Sequence, residues 1–120
     1  MTILDASAVL AFLHGEKGAE VVEPQLKDSV IGAANLCEVL GRFASGTEAS
    51  LAEALLESHG VRVEPVTASD ARRAARLRSE RPDLSLGDRL CLSLAERLGE
   101  VALTADRAWG SSDVIHQIRD

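Results

Sequence analysis

The chain has 120 residues, 46% of them hydrophobic and 27% charged, with a net charge of −6 and a pI of about 5.0. These figures fit one domain over residues 1–120 that can bury roughly two-thirds of its extended-chain surface. They argue against a membrane-spanning chain, whose apolar runs would be longer, and against a broadly basic nucleic-acid binder. The only cysteines, Cys37 and Cys91, form no C-x-x-C pair and lie in apolar helical patterns, so both read as buried thiols of a cytoplasmic protein. No basic leader precedes the first apolar run, which Asp5 interrupts, so no signal peptide is expected.

In chain order, Thr2-Ile3-Leu4 reads as the tail of a buried strand and Ala6 to Leu13 as the apolar start of a helix, with Asp5 between them. A helix interrupted near Pro24 leads to a short strand around Ser29-Val30-Ile31. Another helix is predicted from about Ala33 to Ala44, ending at Gly46. Thr47 is the expected N-cap of the leucine-spaced segment that stops at Gly60, and "VRVEPV" alternates as a strand. Thr67 or Ser69 caps a helix that must end before Pro82. "SLGDRLCLSLAERLG" is amphipathic up to Gly99, and "VALT" and "VIHQI" supply the remaining strands. Strands alternating with helices imply a mainly parallel sheet wrapped on both faces, a three-layer α/β domain in which helices outweigh strands.

In such sheets the working groups gather at the carboxyl ends of the strands, near the switch in strand order. Asp5 follows the first strand directly, with Ser7 two residues on; Asp106 follows Val101-Leu103, with Thr104 two residues before it. Glu38 lies one turn beyond Asn35 on a helix, and Asp88 lies in a helical first turn. Each acid has an ordinary explanation: Asp5 as a helix N-cap, Asp88 at the positive end of a helix, Asp106 as a turn former, Glu38 as a rim residue. A converging cluster explains all four at once. Leu36, Val39 and Leu40 around Glu38, and Leu84, Leu86, Leu90 and Leu92 around Asp88, make an uncompensated charge costly there. Carboxylates ~4 Å apart repel by roughly 4 kcal/mol at an effective dielectric of 20, so the cluster needs protonation or a divalent cation. Oxygen donors alone select Mg²⁺ or Mn²⁺ over zinc. His14, His59 and His116 fit no ligand spacing and read as surface or edge residues. A hard-metal carboxylate site suits phosphoryl chemistry.

"TILDASAVLAFL", "AANLCEVLGR", "SLGDRLCLSLAERLG" and "VALTADRAW", in that order from Thr2 to Trp109, resemble the four acidic motifs of the PIN-domain family. The set is most similar to that of VapC-type toxins of toxin–antitoxin modules. The resemblance implies a metal-dependent endoribonuclease held inactive by a small VapB-like antitoxin, a sheet in the order 3-2-1-4-5, and frequently a homodimer. It implies Asp5 and Asp88 as principal ligands of Mg²⁺ or Mn²⁺, Asp106 as a ligand directly or through water, and Glu38 as the carboxylate, also within the metal site, that orients or deprotonates the attacking water. Ser7, Thr104 and Asn35 would hold the carboxylates or waters from behind. The RNA substrate is open, with tRNA and rRNA as candidates. Leu10, Phe12, Leu13, Phe43 and Leu55 supply candidate surface for an antitoxin segment.

Of the 13 basic residues, only Lys17 and Lys27 are lysines, and Arg72, Arg73, Arg76, Arg78, Arg81 and Arg89 lie close together. Arginine suits forked contacts to phosphate, so Arg72, Arg76, Arg89 and Arg107 are the expected RNA contacts; the alternative is a solvated helix face with i,i+4 pairing. An aromatic content of 2% leaves little stacking surface, so recognition would rest on RNA shape and a few arginines. A receiver-like phosphoacceptor would carry paired acids after the first strand, an Asp at the end of "VRVEPV" and a lysine after Lys27, all lacking here. An aspartyl phosphatase would have a second Asp where Ser7 stands. The remaining rival is a catalytically silent PIN-like module that binds RNA or protein, against which the presence of all four acids weighs.

Overall fold

The structure, a computed structural model, describes residues 1–119. Strand β1 (Thr2–Leu4) leads through α1 (Ala6–Leu13), α2 (Ala19–Val22) and a 3₁₀ segment (Glu23–Asp28) to β2 (Ser29–Gly32). Helices α3 (Ala33–Leu40) and α4 (Gly46–Ser58) precede β3 (Val61–Glu64); α5 (Ala68–Glu80) and α6 (Leu86–Leu98) precede β4 (Val101–Thr104). A short 3₁₀ turn (Arg107–Trp109) and β5 (Ile115–Gln117) complete the fold. All five strands are parallel, in the order β3-β2-β1-β4-β5, as the family resemblance implied.

The strands are short, yet their register explains why two cores form. Ile3 lies beside Val30 and Ala102, and Leu4 beside Ile31 and Leu103. Successive side chains of a strand point to opposite faces, so these are two separate apolar rows. The first packs against Cys91, Leu94 and Ala95 of α6 and against Trp109. The second meets Val9 and Ala11 of α1, Val22, Val39 of α3 and Leu56 of α4. Every residue of both rows is buried, as expected for a parallel sheet covered on both sides. The chain winds outward from β1 to β3, then crosses to β4 and β5, which puts the switch between the carboxyl ends of β1 and β4.

Some local expectations fail for identifiable reasons. Helix α3 stops at Leu40 rather than Ala44, because the N–H groups of Arg42 and Phe43 turn to the carbonyls of Val39 and Leu40, tightening the chain. Gly46 opens α4 instead of closing α3, and Ser45, not Thr47, is its cap: Ser45 Oγ accepts the Glu48 N–H at 3.2 Å. The Ser-x-x-Glu pattern at 45–48 was the overlooked signal. Thr67 rather than Ser69 caps α5, reciprocally with Asp70. Cys91 is buried as expected, but Cys37 is exposed. Among the described residues no helix is long and apolar enough to cross a membrane.

Candidate active site

Asp5 stands at the switch point, at the N-cap position of α1, but its side chain makes no capping hydrogen bond. The cap reading of this residue therefore fails. Its Oδ2 instead accepts the hydroxyls of Ser7 at 2.6 Å and Thr104 at 2.9 Å. Those hydroxyls are themselves fixed, since Ser7 Oγ accepts the Ala105 N–H and Thr104 Oγ1 accepts the Asp106 N–H. Each hydroxyl has one proton, and both point at Asp5. The residue is only 3% exposed and meets no cation among the described residues. Burial pushes its carboxyl up to about 6 against the two hydroxyl hydrogen bonds, with the charges of Asp88 and Glu38 adding to the rise.

Glu38 on α3 and Asp88 on α6 lie near enough to Asp5 for their charges to act on it. Asn35 Nδ2 donates both to Glu38 Oε1 at 2.8 Å and to the Gly87 carbonyl at 3.1 Å, clamping the two helices together. A Cβ on Gly87 would lie 2.5 Å from Glu38 Oε1, so only glycine lets the carboxylate settle against the first turn of α6. Asp88 forms a reciprocal capping box with Ser85: its Oδ2 accepts the Ser85 N–H at 3.0 Å. The cap and the acidic position thus coincide in one residue. Glu38 is exposed and Asp88 half-buried beside an exposed Leu86, so the desolvation cost expected for these two falls on Asp5 alone. Beneath them the fully buried Cys91 thiol is raised well above its usual range, by burial first and then by the charges of Asp5, Asp88 and Glu38.

Asp106 follows β4 and caps the 3₁₀ turn, its Oδ1 accepting the Ala108 N–H at 2.9 Å. One pattern unites the four acids. Each gives one oxygen to a protein donor, and the other (Asp5 Oδ1, Glu38 Oε2, Asp88 Oδ1, Asp106 Oδ2) has no hydrogen-bond partner among the described residues. The convergence is looser than a closed cage: among the described residues no group of three His, Cys, Asp or Glu side chains could by itself hold an ion. An all-oxygen set with one free oxygen per carboxylate still suits a hard cation. Mg²⁺ characteristically keeps several waters and takes only one or two carboxylates directly.

The expected arginines do not act as a group. Asp70 pairs with Arg97 and Arg73 with Glu96, so α5 and α6 run antiparallel and Arg72 lies at the end remote from Asp88. Arg72 and Arg76 are exposed on α5. Arg89 is spent inside the fold, donating through Nη1 to the Ala74 carbonyl at 2.7 Å. Arg107 lies in the 3₁₀ turn directly after Asp106. Gly87, Ser85 and Gln117 were not foreseen as contributors; the glycine next to a helix-opening acid was the signal available for the first. The three histidines lie at surface or partly buried positions, with His59 edge-on to the Phe12 ring.

Comparison with known proteins gives concordant matches. The model of the PIN domain family matches residues 2–113. Ribonuclease VapC42 of Mycobacterium tuberculosis is 34% identical over 114 residues, covering 84% of this chain and 87% of that protein. Among solved structures, a chain of a toxin–antitoxin complex from Klebsiella pneumoniae aligns with a TM-score of 0.85 at 16% identity, over 100% of this chain and 99% of its own. The Mycobacterium tuberculosis VapC20, a sarcin-ricin loop cleaving toxin, aligns with a TM-score of 0.72 at 20% identity, over 95% and 98%. At such identities the structural matches establish the fold.

Proposed function

The chain belongs to the PIN-domain family, and from that membership we propose that it is a divalent-metal-dependent endoribonuclease, the toxin of a toxin–antitoxin module. The observation that carries the reading is Asp5: a buried carboxyl that meets no cationic side chain among the described residues and has the acids Glu38 and Asp88 as neighbours. A charge so placed is costly unless a bound cation compensates it. In this reading Asp5 and Asp88 would be the principal holders of Mg²⁺ or Mn²⁺, and Asp106 would hold it directly or through water. Bound there, the ion would polarise the phosphodiester and offset charge on the leaving oxygen. Glu38, exposed and oriented by Asn35, accepts the proton of the attacking water through Oε2. Ser7 and Thr104 fix Oδ2 of Asp5 and leave its Oδ1 without a hydrogen-bond donor among the described residues.

The inhibitor in this reading is a small VapB-like protein, consistent with the toxin–antitoxin complex among the structural neighbours. Leu51 and Leu55 of α4 are 66% and 43% exposed, and Leu10, Phe12, Leu13 and Phe43 are only partly covered, which supplies apolar surface for an amphipathic segment. A homodimer belongs to the same proposal and is read by sedimentation. The decisive experiment is cleavage of total RNA in Mn²⁺, Mg²⁺ and EDTA, alongside growth arrest and its rescue by a small upstream open reading frame. Asp106→Asn and Glu38→Gln should abolish cleavage and arrest while keeping antitoxin affinity. Undiminished arrest in both variants would leave only a binding module.

A further inference from the structure

Beside the acids, past the carboxyl ends of β4 and β5, a groove of about 320 Å³ is lined by Arg107, Gly110, Ser111, Gln117 and Arg119. Among the described residues its wall carries two guanidinium groups and no carboxylate, in a chain whose net charge is −6. Among the described residues neither arginine meets an acid. Arg107 makes no side-chain hydrogen bond there, and Arg119 commits one Nη1 to the Lys17 carbonyl at 3.1 Å. The frame between them is pinned. Gln117 Nε2 donates to the carbonyls of Asp106 at 2.9 Å and Gly110 at 2.8 Å. Arg81 Nη2 holds the Ala108 carbonyl at 2.7 Å from the other side. Those bonds fix the 106–110 loop before any ligand arrives, which lowers the cost of binding.

Two guanidiniums that meet no acid among the described residues, on a rigid wall, call for a compact anion with several oxygen acceptors, and phosphate matches their fork. Location then selects the source. Gln117 ties this groove to Asp106, so a strand placed across the acids runs directly onto it. That strand must bring its own negative charge up to four carboxylates, and a local cationic stop offsets the repulsion. We propose that Arg107 and Arg119 form a phosphate subsite holding an RNA phosphodiester adjacent to the one cleaved. This rests on the ribonuclease reading above, and it replaces the α5 arginines as the principal backbone contact.

The test is fluorescence anisotropy of a short, labelled, mixed-sequence RNA in EDTA, where cleavage is silent, over about 50–200 mM salt. Arg107→Gln and Arg119→Gln should each weaken binding roughly three- to tenfold and reduce the log–log salt slope by about 0.7, while Arg72→Gln leaves it unchanged. The Arg107 side chain has no hydrogen bond among the described residues to lose, so its variant should fold normally. Ser111→Lys, adding a charge to the same wall, should steepen the slope by a similar step. Slopes unmoved in both arginine variants overturn the subsite. So does a loss of antitoxin affinity with RNA binding intact, which would assign the groove to an acidic protein segment. Cleavage by the unmodified chain in Mn²⁺ is read separately. Its failure with slopes that shift as expected sinks the nuclease and supports the subsite; active cleavage with flat slopes does the reverse.

Discussion

Asp5 and Asp70 are equally buried, each 3% exposed, but their partners differ. Asp70 has both oxygens engaged: Oδ1 accepts from Arg97 Nε at 2.8 Å, and Oδ2 accepts from Arg97 Nη2 and the Thr67 N–H. Burial alone would raise its carboxyl, but the hydrogen bonds of Arg97 and Thr67 outweigh burial and hold it below the usual range. Asp5 has hydroxyls on one oxygen and nothing on the other, with acids as its charged neighbours. The fold completes one aspartate and leaves the other incomplete. Asp88 stands between them: it builds the same capping box as Asp70, on Ser85 instead of Thr67, but has no arginine. A buried acid satisfied by the protein is structural, and one satisfied only in part is the candidate for a binding position.

Neutralising each member separates them most sharply. Asp5→Asn should abolish metal-dependent RNA cleavage, a loss on the order of a thousandfold or more if Asp5 is a principal ligand, while leaving the metal-free chain at least as stable. Asp70→Asn should do the opposite: cleavage per folded molecule unchanged, and stability lower by about 2 kcal/mol from the broken Arg97 pair. Urea midpoints and cleavage rates on the two variants check both halves. Equal cleavage loss in both would mean that the fold, not the charge at Asp5, limits activity.

A smaller effect is expected where the two helices touch. Gly87→Ala adds a Cβ in the space of the Glu38 carboxylate, which must swing away from Asn35 and from Asp88. Cleavage should fall roughly ten- to a hundredfold, the range typical of disturbed supporting contacts. Alanine is the better helix former by up to ~1 kcal/mol, so a thermal melt should hardly move. A melt that drops in step with activity would reduce Gly87 to a packing residue.

The contrast between Asp5 and Asp70 also explains what the sequence revealed. The sheet was legible because short apolar runs bounded by turn residues recur between helical patterns, and the two buried rows need no other information. Asp5, Glu38, Asp88 and Asp106 stood out as acids in apolar company or after strands. Asp70 has a similar setting in sequence, and what distinguishes it, Arg97, is 27 residues away on another helix. Pairing of that kind depends on how α5 lies against α6, which no local pattern encodes. The same blindness hid the engagement of Arg89 with the Ala74 carbonyl, and it hid the groove that Arg119 shares with Arg107, which forms only because β5 lies beside β4. Helix ends failed where competing glycines offered two stops, Gly41 and Gly46, and the Ser45 cap decided between them.

The smallest expected effect is a difference in pH dependence, measured without metal. Asp70, held below the ordinary carboxylate range, contributes stability that is present above about pH 4 and lost as the pH falls through its folded value. Asp5, raised to about 6, works with the opposite sign. The folded chain holds its proton more tightly than the unfolded chain does, so stability is greatest below about pH 4 and declines as the pH climbs to about 6. Between those values the unmodified chain in EDTA should therefore lose on the order of 2 kcal/mol relative to Asp5→Asn, as read from urea midpoints. Millimolar Mn²⁺ should reverse the trend, because the ion binds the ionised folded site and stabilises by mass action. A difference that stays flat from about pH 4 to 7 would mean that Asp5 is already compensated within the fold, as Asp70 is, and would remove the main physical reason for placing a cation there.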